Sequence, residues 1–407
     1  MLLKLAWRNI WRNKRRTVIT VVSIAFAVIL SSVMRSMQLG SYERMIDNSV
    51  RFLTGYIQVH KKGYWDEQVI DNAFEPPPQL KEKIGAIENV EAAVPRLESF
   101  ALASYQTQTK GAMIIGIDPE KESSLSGVEE KIVEGEIFDI NDQQVLVGNG
   151  LADYLKLGIG DTIVLISQGY HGVNAAGKYP VSGLVKFGLP QLTNQVVFMP
   201  LPAAQYFFGA DQLLTALAVV TDHPKHVGSI QSAIQQEVDT TELEVLNWKI
   251  MMPELIQGIE IDNISGIIML LLLYVVIGFG MFGTFLMMTT ERMYEFGVLL
   301  SVGMRRYKLQ LVIFAEIIML AMIAVLVGFA LSLPVISYFY KHPITLPEEY
   351  KDAFEKFGIE PIYVFSLEPV VFTSQAWVVF FMALVLGSYP LYKIWKLDPV
   401  TAMKEGR

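Results

Sequence analysis

The chain has 407 residues, 52% of them hydrophobic and only 18% charged, with a mean hydropathy of +0.36. A water-soluble domain carries about 25% charged residues, so this much apolar material calls for a bilayer as a second solvent. Cysteine is absent, which excludes disulfide scaffolds, thiolate nucleophiles and cysteine-ligated metals, and the net charge of −8 leaves no basic footprint for nucleic acid.

Residues 1–16 open the chain as an amphipathic segment. Leu3, Trp7, Ile10 and Trp11 recur at helical spacing, opposed by Arg8, Arg12 and Lys14. Two readings stand: an elbow helix lying in the headgroup layer and steering the first span, or a plain basic flank. Thr17–Met34 lies inside that first predicted span, residues 17–37. The flank Ser31-Ser32-Val33-Met34-Arg35 lacks a small-x-small cleavage site and reads as an uncleaved anchor.

A polar insert, residues 38–262, comes next. It opens with the helix-compatible stretch Met37–Phe52 and closes with Met251–Ile261, where Met252, Leu255, Ile256 and Ile259 fall on one stripe. Both read as stalk helices continuing out of the membrane. Between them Tyr56–His60, Ala112–Ile117, Val145–Val147, Thr162–Ile166 and Gln195–Met199 read as strands. Pro78–Ile87, Gly150–Leu157 and His226–Glu237 read as helices, and Gly158-Ile159-Gly160-Asp161 as a turn. This pattern predicts an α+β domain of two lobes. Gln168–Gly188, with five glycines, reads as a long loop, either functional or a hairpin tip.

Three more spans complete the predicted organisation: residues 264–288, 309–336 and 370–392. A loop at 289–306 joins the first two of these, an external loop at 337–369 the last two, and a tail occupies 393–407. Charge orients them. Lys4, Arg8, Arg12, Lys14, Arg15 and Arg16 precede the first span with no acid, whereas the insert holds 30 acids against 15 bases. The 289–306 loop and the tail are net basic and the 337–369 loop is net acidic. Lysine and arginine collect on the cytoplasmic side, so both termini and the 289–306 loop are expected inside and the insert outside.

No catalytic constellation is present. Gly177-Lys178 is followed by Tyr179, so it is not a phosphate-binding loop, and neither a zinc-protease nor a nucleophile-elbow motif occurs. Of five histidines only His223 and His226 are close, and they read as a solvated turn. Glu316 is the exceptional charge within a span. A carboxylate at membrane depth is a functional hypothesis by default, set here against a structural role through snorkelling or a bond to a neighbouring helix.

The most informative stretch is Thr289–Arg306. Glu291 and Glu295 share a helical face, Phe296, Leu299 and Leu300 supply an apolar one, and Gly303 ahead of Arg305 and Arg306 suits a helix C-terminus. Such a helix fits a partner's groove, or equally a connector packed on its own bundle.

That stretch resembles the E-R-x-x-E-[IF]-G-[IV]-L-x-x-[LV]-G pattern of the FtsX-like and MacB-type permease superfamily of ATP-binding cassette transporters. Glu291, Arg292, Glu295, Gly297, Leu300 and Gly303 fall on the pattern. The start Ala6-Trp7-Arg8-Asn9, the segments Gly116-Ile117-Asp118-Pro119 and Leu157-Gly158-Ile159-Gly160-Asp161, and the ending Pro399-Val400-Thr401-Ala402-Met403 resemble the family as well.

The resemblance implies a membrane protein of four transmembrane helices, with a large extracytoplasmic α+β domain (a MacB-like periplasmic core) inserted between the first two. It implies a permease subunit of the bacterial inner membrane rather than an enzyme. ATP and magnesium would be bound by a separate ATPase docked on the Glu291–Gly303 helix, with a second permease copy or paralogue alongside and membrane lipids around. Its action would be mechanotransmission, in which the ATPases move the coupling helices and the stalks carry the motion outward. The four-span layout and an insert of ~225 residues are most similar to the lipoprotein-release (LolC/LolE-like) permeases, implying lipoprotein cargo and a periplasmic carrier. Efflux or peptide export in the manner of MacB, and control of a cell-wall hydrolase in the manner of FtsX, are the alternatives.

Overall fold

Residues 2–187, 190–222, 224–347, 349 and 362–404 are described by the structure, a computed structural model. Met1, Gly188, Leu189, His223, residues 348 and 350–361 of the predicted external loop and residues 405–407 of the tail lie outside them. The chain divides into two units. One comprises Met1–Glu43, Gly258–Thr345 and Ile362–Arg407, and the other Arg44–Gln257 with Leu346–Pro361.

Four helices among the described residues are long and apolar enough to cross a membrane: Lys14–Leu53, Pro253–Thr290, Arg306–Lys341 and Pro369–Trp395. They outrun the apolar stretches visible in the sequence. The first has 40 residues, and at about 1.5 Å per residue it is roughly 60 Å long, twice a hydrocarbon core of about 30 Å. Met37–Phe52 is therefore one continuous helix with the first span. Gly40 sits in it without breaking it. A methyl group there would collide with the backbone of Val364 and Phe365, and beside it the Ser36 hydroxyl donates to the Ser366 carbonyl at 2.6 Å.

A helix at Leu2–Arg12 precedes the first span and is separated from it at Asn13. The Thr17 hydroxyl donates across the break to the Ile10 carbonyl at 2.5 Å. The apolar stripe expected here splits in two. Ile10, with Ala6, is buried in the bundle, while Leu3, Trp7 and Trp11 are exposed, the two indoles packed edge to face at 5.9 Å. Glycine lets the spans approach closely: a side chain at Gly328 would run into Val28, and one at Gly387 would press on Ile317.

The insert is α+β. Its strands are β1 (Ile57–Lys61), β2 (Val90–Tyr105), β3 (Gln108–Ile117), β4 (Ile132–Gly135), β5 (Val145–Gly148), β6 (Thr162–Gln168), β7 (Asn174–Val185), β8 (Val196–Pro200), β9 (Ala216–Thr221) and β10 (Leu243–Asn247). They run in the order β10-β1-β9-β2-β3-β8-β5-β7-β4, and β6 pairs with β2 and β7. The long strand β2 joins two lobes. Its Val90–Arg96 half pairs with β9, and its Leu97–Tyr105 half with β3.

The first lobe takes β1, β9 and β10 from the two ends of the insert. Ile57, Val59, Leu217 and Val219 on its apolar face meet Ile84, Ile230 and Ile234 of helices Leu80–Gly85 and Val227–Glu237. The second lobe packs Ile114, Val147, Leu165, Val197 and Phe208 into a separate core. The expected α+β insert between the first and second spans is what the structure has.

The long loop expected at Gln168–Gly188 is not there. Asn174–Val185 is strand β7, paired with β6 through Thr162↔Pro180 to Gln168↔Asn174. Ala175, Tyr179 and Val181 point into the core, but glycine and proline between them hide the alternation. The Gly158–Asp161 turn forms as read, with the Asp161 carboxylate accepting from the Gly158 amide at 2.8 Å.

Candidate functional site

The sequence motif Thr289–Arg306 folds as a short connecting helix, Met293–Ser301, between the second and third long helices. Its end is built by Gly303. With φ at +103°, Gly303 lets its own amide reach the Leu300 carbonyl at 3.1 Å and lets the Met304 amide reach that of Leu299 at 3.0 Å. These two bonds close the helix in the pattern that glycine C-terminal stops adopt. Gly297 has a different reason to be small. A Cβ there would stand 3.1 Å from the Cβ of Ala402 and 3.2 Å from the Pro399 carbonyl, so the tail helix Pro399–Lys404 packs directly on the connecting helix. Two motifs far apart in sequence thus meet.

At the start of the connecting helix a network of three arginines and three glutamates forms. Arg292, buried, donates from Nη1 to Glu316 Oε2 at 2.6 Å and lies over the Phe296 ring at 5.3 Å. The other oxygen of Glu316 accepts from the Asn9 amide at 2.6 Å. Arg12 Nη2 reaches both oxygens of Glu295 at 2.5 Å, and Arg16 Nη1 reaches Glu291 at 3.1 Å. Arg292 Nε adds a longer contact to Glu295 at 3.3 Å. Partial burial alone would push the Glu295 carboxyl up, but the guanidinium groups of Arg12 and Arg292 outweigh it and hold the group below the ordinary carboxylate value. Arg12 is in turn raised, chiefly by its hydrogen bond to Glu295.

Each residue singled out in the sequence therefore has a definite place. Glu291, Arg292 and Glu295 join the connecting helix to the Leu2–Arg12 helix and to the spans, Gly297 seats the tail, and Gly303 ends the helix. Leu300 is half-buried against the same core. Glu316 is the counter-charge of Arg292, so it is a paired rather than a lone intramembrane acid. Of the connecting helix, the outward face is Tyr294, Val298 and Val302, at i, i+4 and i+8, with Val302 83% exposed. Asn9, Arg12, Arg16 and Phe296 were not among the expected site residues. The signal was there for three of them: Asn9, Arg12 and Arg16 stand at i, i+3 and i+7.

Comparison with known proteins agrees with this architecture. Residues 17–237 match the MacB-like periplasmic core domain, and residues 267–399 match the FtsX-like permease C-terminal domain. The first match alone covers more than half of the chain, so the chain belongs to the MacB-like periplasmic core family, and together the two define an FtsX/MacB-type permease. A curated relative, the lipoprotein-releasing system transmembrane protein LolC of Neisseria meningitidis serogroup B, is 22% identical over 221 residues. That alignment covers 52% of this chain and 53% of the relative, so about half of the relative's length is matched.

Among solved structures, the extracellular domain of the noncanonic ABC-type transporter YknZ from Gram-positive bacteria aligns at TM-score 0.34 and 14% identity, over 47% of this chain and 99% of that one. The periplasmic region of MacB from Actinobacillus actinomycetemcomitans aligns at TM-score 0.34 and 11% identity, over 50% and 92%.

Proposed function

We propose that this permease is the membrane subunit of an ATP-binding cassette transporter that works by mechanotransmission and releases lipoproteins from the inner membrane. ATP and magnesium would be held by an ATPase on another chain, and no residue of this chain is assigned to them. A second permease copy or paralogue would complete the membrane part, and a periplasmic carrier would receive the cargo. The termini and the connecting helix lie on the ATPase side in this reading, in keeping with the lysine and arginine count. Lipoprotein as cargo draws its support from the relationship to LolC.

One observation carries the coupling role. The connecting helix is held by ion pairs to the Leu2–Arg12 helix, the first span and the third span, so a push on it is passed to all three. Its own acids are engaged in those pairs. The surface it offers an ATPase is therefore the apolar stripe Tyr294, Val298 and Val302 rather than Glu291 and Glu295.

The test is co-expression with a candidate ATPase subunit of this transporter class, followed by affinity purification and a lipoprotein-release assay in proteoliposomes. The wild-type chain is expected to bring down the ATPase and release lipoprotein to its carrier on adding ATP. Val298→Glu is expected to lose the ATPase while the chain still inserts. Retention of the ATPase by that variant would remove the docking face. Recovery of an outer-membrane channel, or of a cell-wall hydrolase, in place of a carrier would replace lipoprotein release with export or hydrolase control.

A further inference from the structure

The insert contains a cavity of about 850 Å³ lined wholly by its own residues, within the range of sites that enclose a drug-sized ligand. Four methionines, Met45, Met113, Met251 and Met252, stand in its apolar lining beside Phe100 and Leu255. Thioether side chains are unbranched and polarizable, and they reshape around ligands of differing outline. Three carboxylate residues also line it, the buried Glu98 and the exposed Asp66 and Glu254, and among the described residues no lysine, arginine or histidine does.

Behind Glu98 the charges do not balance. Arg96 is fully buried, and its fork is directed at Glu122, with Nε at 3.0 Å from one oxygen and Nη2 at 2.5 Å from the other. Nη1 donates to the Leu53 carbonyl at 2.9 Å and reaches Glu98 only at 3.3 Å. One guanidinium thus stands between two buried carboxylates. Glu98, which receives the longer contact, is the one that lines the cavity. Burial pushes the Glu98 carboxyl up despite the neighbouring Arg96. A buried carboxylate in that position is relieved by a proton or by a cation.

We propose that this cavity is a binding site for an amphiphile bearing one amine beside an alkyl chain, with the ammonium group taken by Glu98 and the chain by the methionine wall. An organic cation fits better than a metal ion. Among the described residues no three acids or histidines converge closely enough to ligate a metal, and the lining sets its carboxylates beside apolar side chains. Asp66 and Glu254, being exposed, draw the cation in and exclude fatty acids of the same length. The site depends neither on ATPase docking nor on lipoprotein release, and it is tested on the permease chain alone. The amine has two possible sources, a free alkylamine or the amino end of a lipidated peptide, which share this chemistry.

The experiment is photolabelling of the full chain in lipid nanodiscs with three probes of equal chain length and a diazirine at the tail, ending in an amine, a carboxylate or an alcohol. Labelled peptides are then mapped by mass spectrometry, so that label lost into the bilayer or onto the spans does not count. The amine probe is expected to label peptides carrying Met45, Met113 or Met252, at concentrations roughly tenfold below the alcohol, the equivalent of one charge-assisted bond, and the carboxylate probe not at all.

Glu98→Gln is expected to abolish the preference for the amine. Because Glu98 contacts Arg96, the exposed double variant Asp66→Asn with Glu254→Gln is tested beside it and is expected to reduce the preference without altering the fold. Met252→Trp, which narrows the cavity, is expected to weaken labelling by every probe. Competition by a diacylated peptide with a free amino terminus but not by its acetylated form would identify the peptide as the source, and competition by dodecylamine alone the free amphiphile. Equal labelling by all three probes, or a preference for the amine that survives Glu98→Gln, would overturn the proposal.

Discussion

Both units of this protein contain arginine–glutamate clusters, and the clusters differ in a way that fits the work proposed for each unit. In the membrane unit three arginines (Arg12, Arg16, Arg292) meet three glutamates (Glu291, Glu295, Glu316), and the network is neutral. In the insert one arginine, Arg96, serves two glutamates, Glu98 and Glu122. A balanced network ties helices together and asks for nothing further. An unbalanced one holds a fold together while leaving a charge open to a visitor. The first suits a linkage that transmits motion, and the second a wall of a cavity.

The contrast is tested most severely at Arg96. Removing one partner of a buried ion pair leaves an uncompensated charge and costs about 3–5 kcal/mol. Arg96→Met strands two carboxylates, so it is expected to be the most damaging single change in either unit, lowering the unfolding midpoint of the insert in the full chain. If Arg96→Met melts with the wild type, the insert's cluster does not hold the fold. Next comes Arg292. Arg292→Met leaves Glu316 buried with only the Asn9 amide, at a cost of roughly 3 kcal/mol, and adding Glu316→Leu is expected to restore most of it. Such rescue marks a neutral network. Its failure would mean that Glu316 has a use beyond balancing Arg292.

That ion pair also shows what one-dimensional reading reaches. The four spans and the α+β insert were legible because bilayer thickness and hydrophobic period write themselves into consecutive residues. Gly303 was legible because a positive φ at a helix end selects glycine. Glu316 stood out as an oddity, yet its partner is 24 residues away and pairing is settled by packing. Strand β2 escaped notice for a related reason. It serves two lobes in turn, both of its faces are covered from Ala93 to Ser99, and that buried run replaces the alternation that announces a strand. The cavity was invisible, since its walls come from the two ends of the insert and from β2 and β3.

A smaller effect separates the two units by pH. His60, on β1, is fully buried with Nε2 unpartnered, its ring between Tyr64 and Trp65 and its Nδ1 3.0 Å from Glu244. Burial holds its pKa below the ordinary 6.5, against the opposing pull of Glu244 and Asp66. The unfolded chain then takes up the proton more readily than the folded one. Stability from this group is complete above pH 6.5 and is lost as pH falls toward the lowered folded value. Glu98, whose pKa is raised above the ordinary 4.5, has the opposite slope in its own range. The informative quantity is the difference between the wild type and His60→Gln in thermal unfolding of the insert from about pH 7.5 to about pH 5.5, the range that brackets the titration of an ordinary histidine. The wild type is expected to lose stability and the variant to lose less, and parallel curves would rule His60 out.

The smallest change in stability is expected where the consequence for function is greatest. Arg12 and Glu295 are both substantially exposed, with 55% and 42% of their side chains accessible, and an exposed pair is worth about 0.2–1 kcal/mol. Arg12→Ala should therefore insert and melt almost as the wild type does. Yet this pair ties the connecting helix to the Leu2–Arg12 helix, so in the mechanism proposed its loss lets the ATPase turn over without moving the spans. The expected signature is ATP hydrolysis retained, lipoprotein release reduced several-fold, and recovery in the charge-swapped pair Arg12→Glu with Glu295→Arg, which restores the tie while reversing both charges. A fall in hydrolysis and release together would say that Arg12 supports ATPase docking, and unchanged release would show that the connecting helix transmits its motion through its other ties, Arg16–Glu291 and Arg292–Glu316.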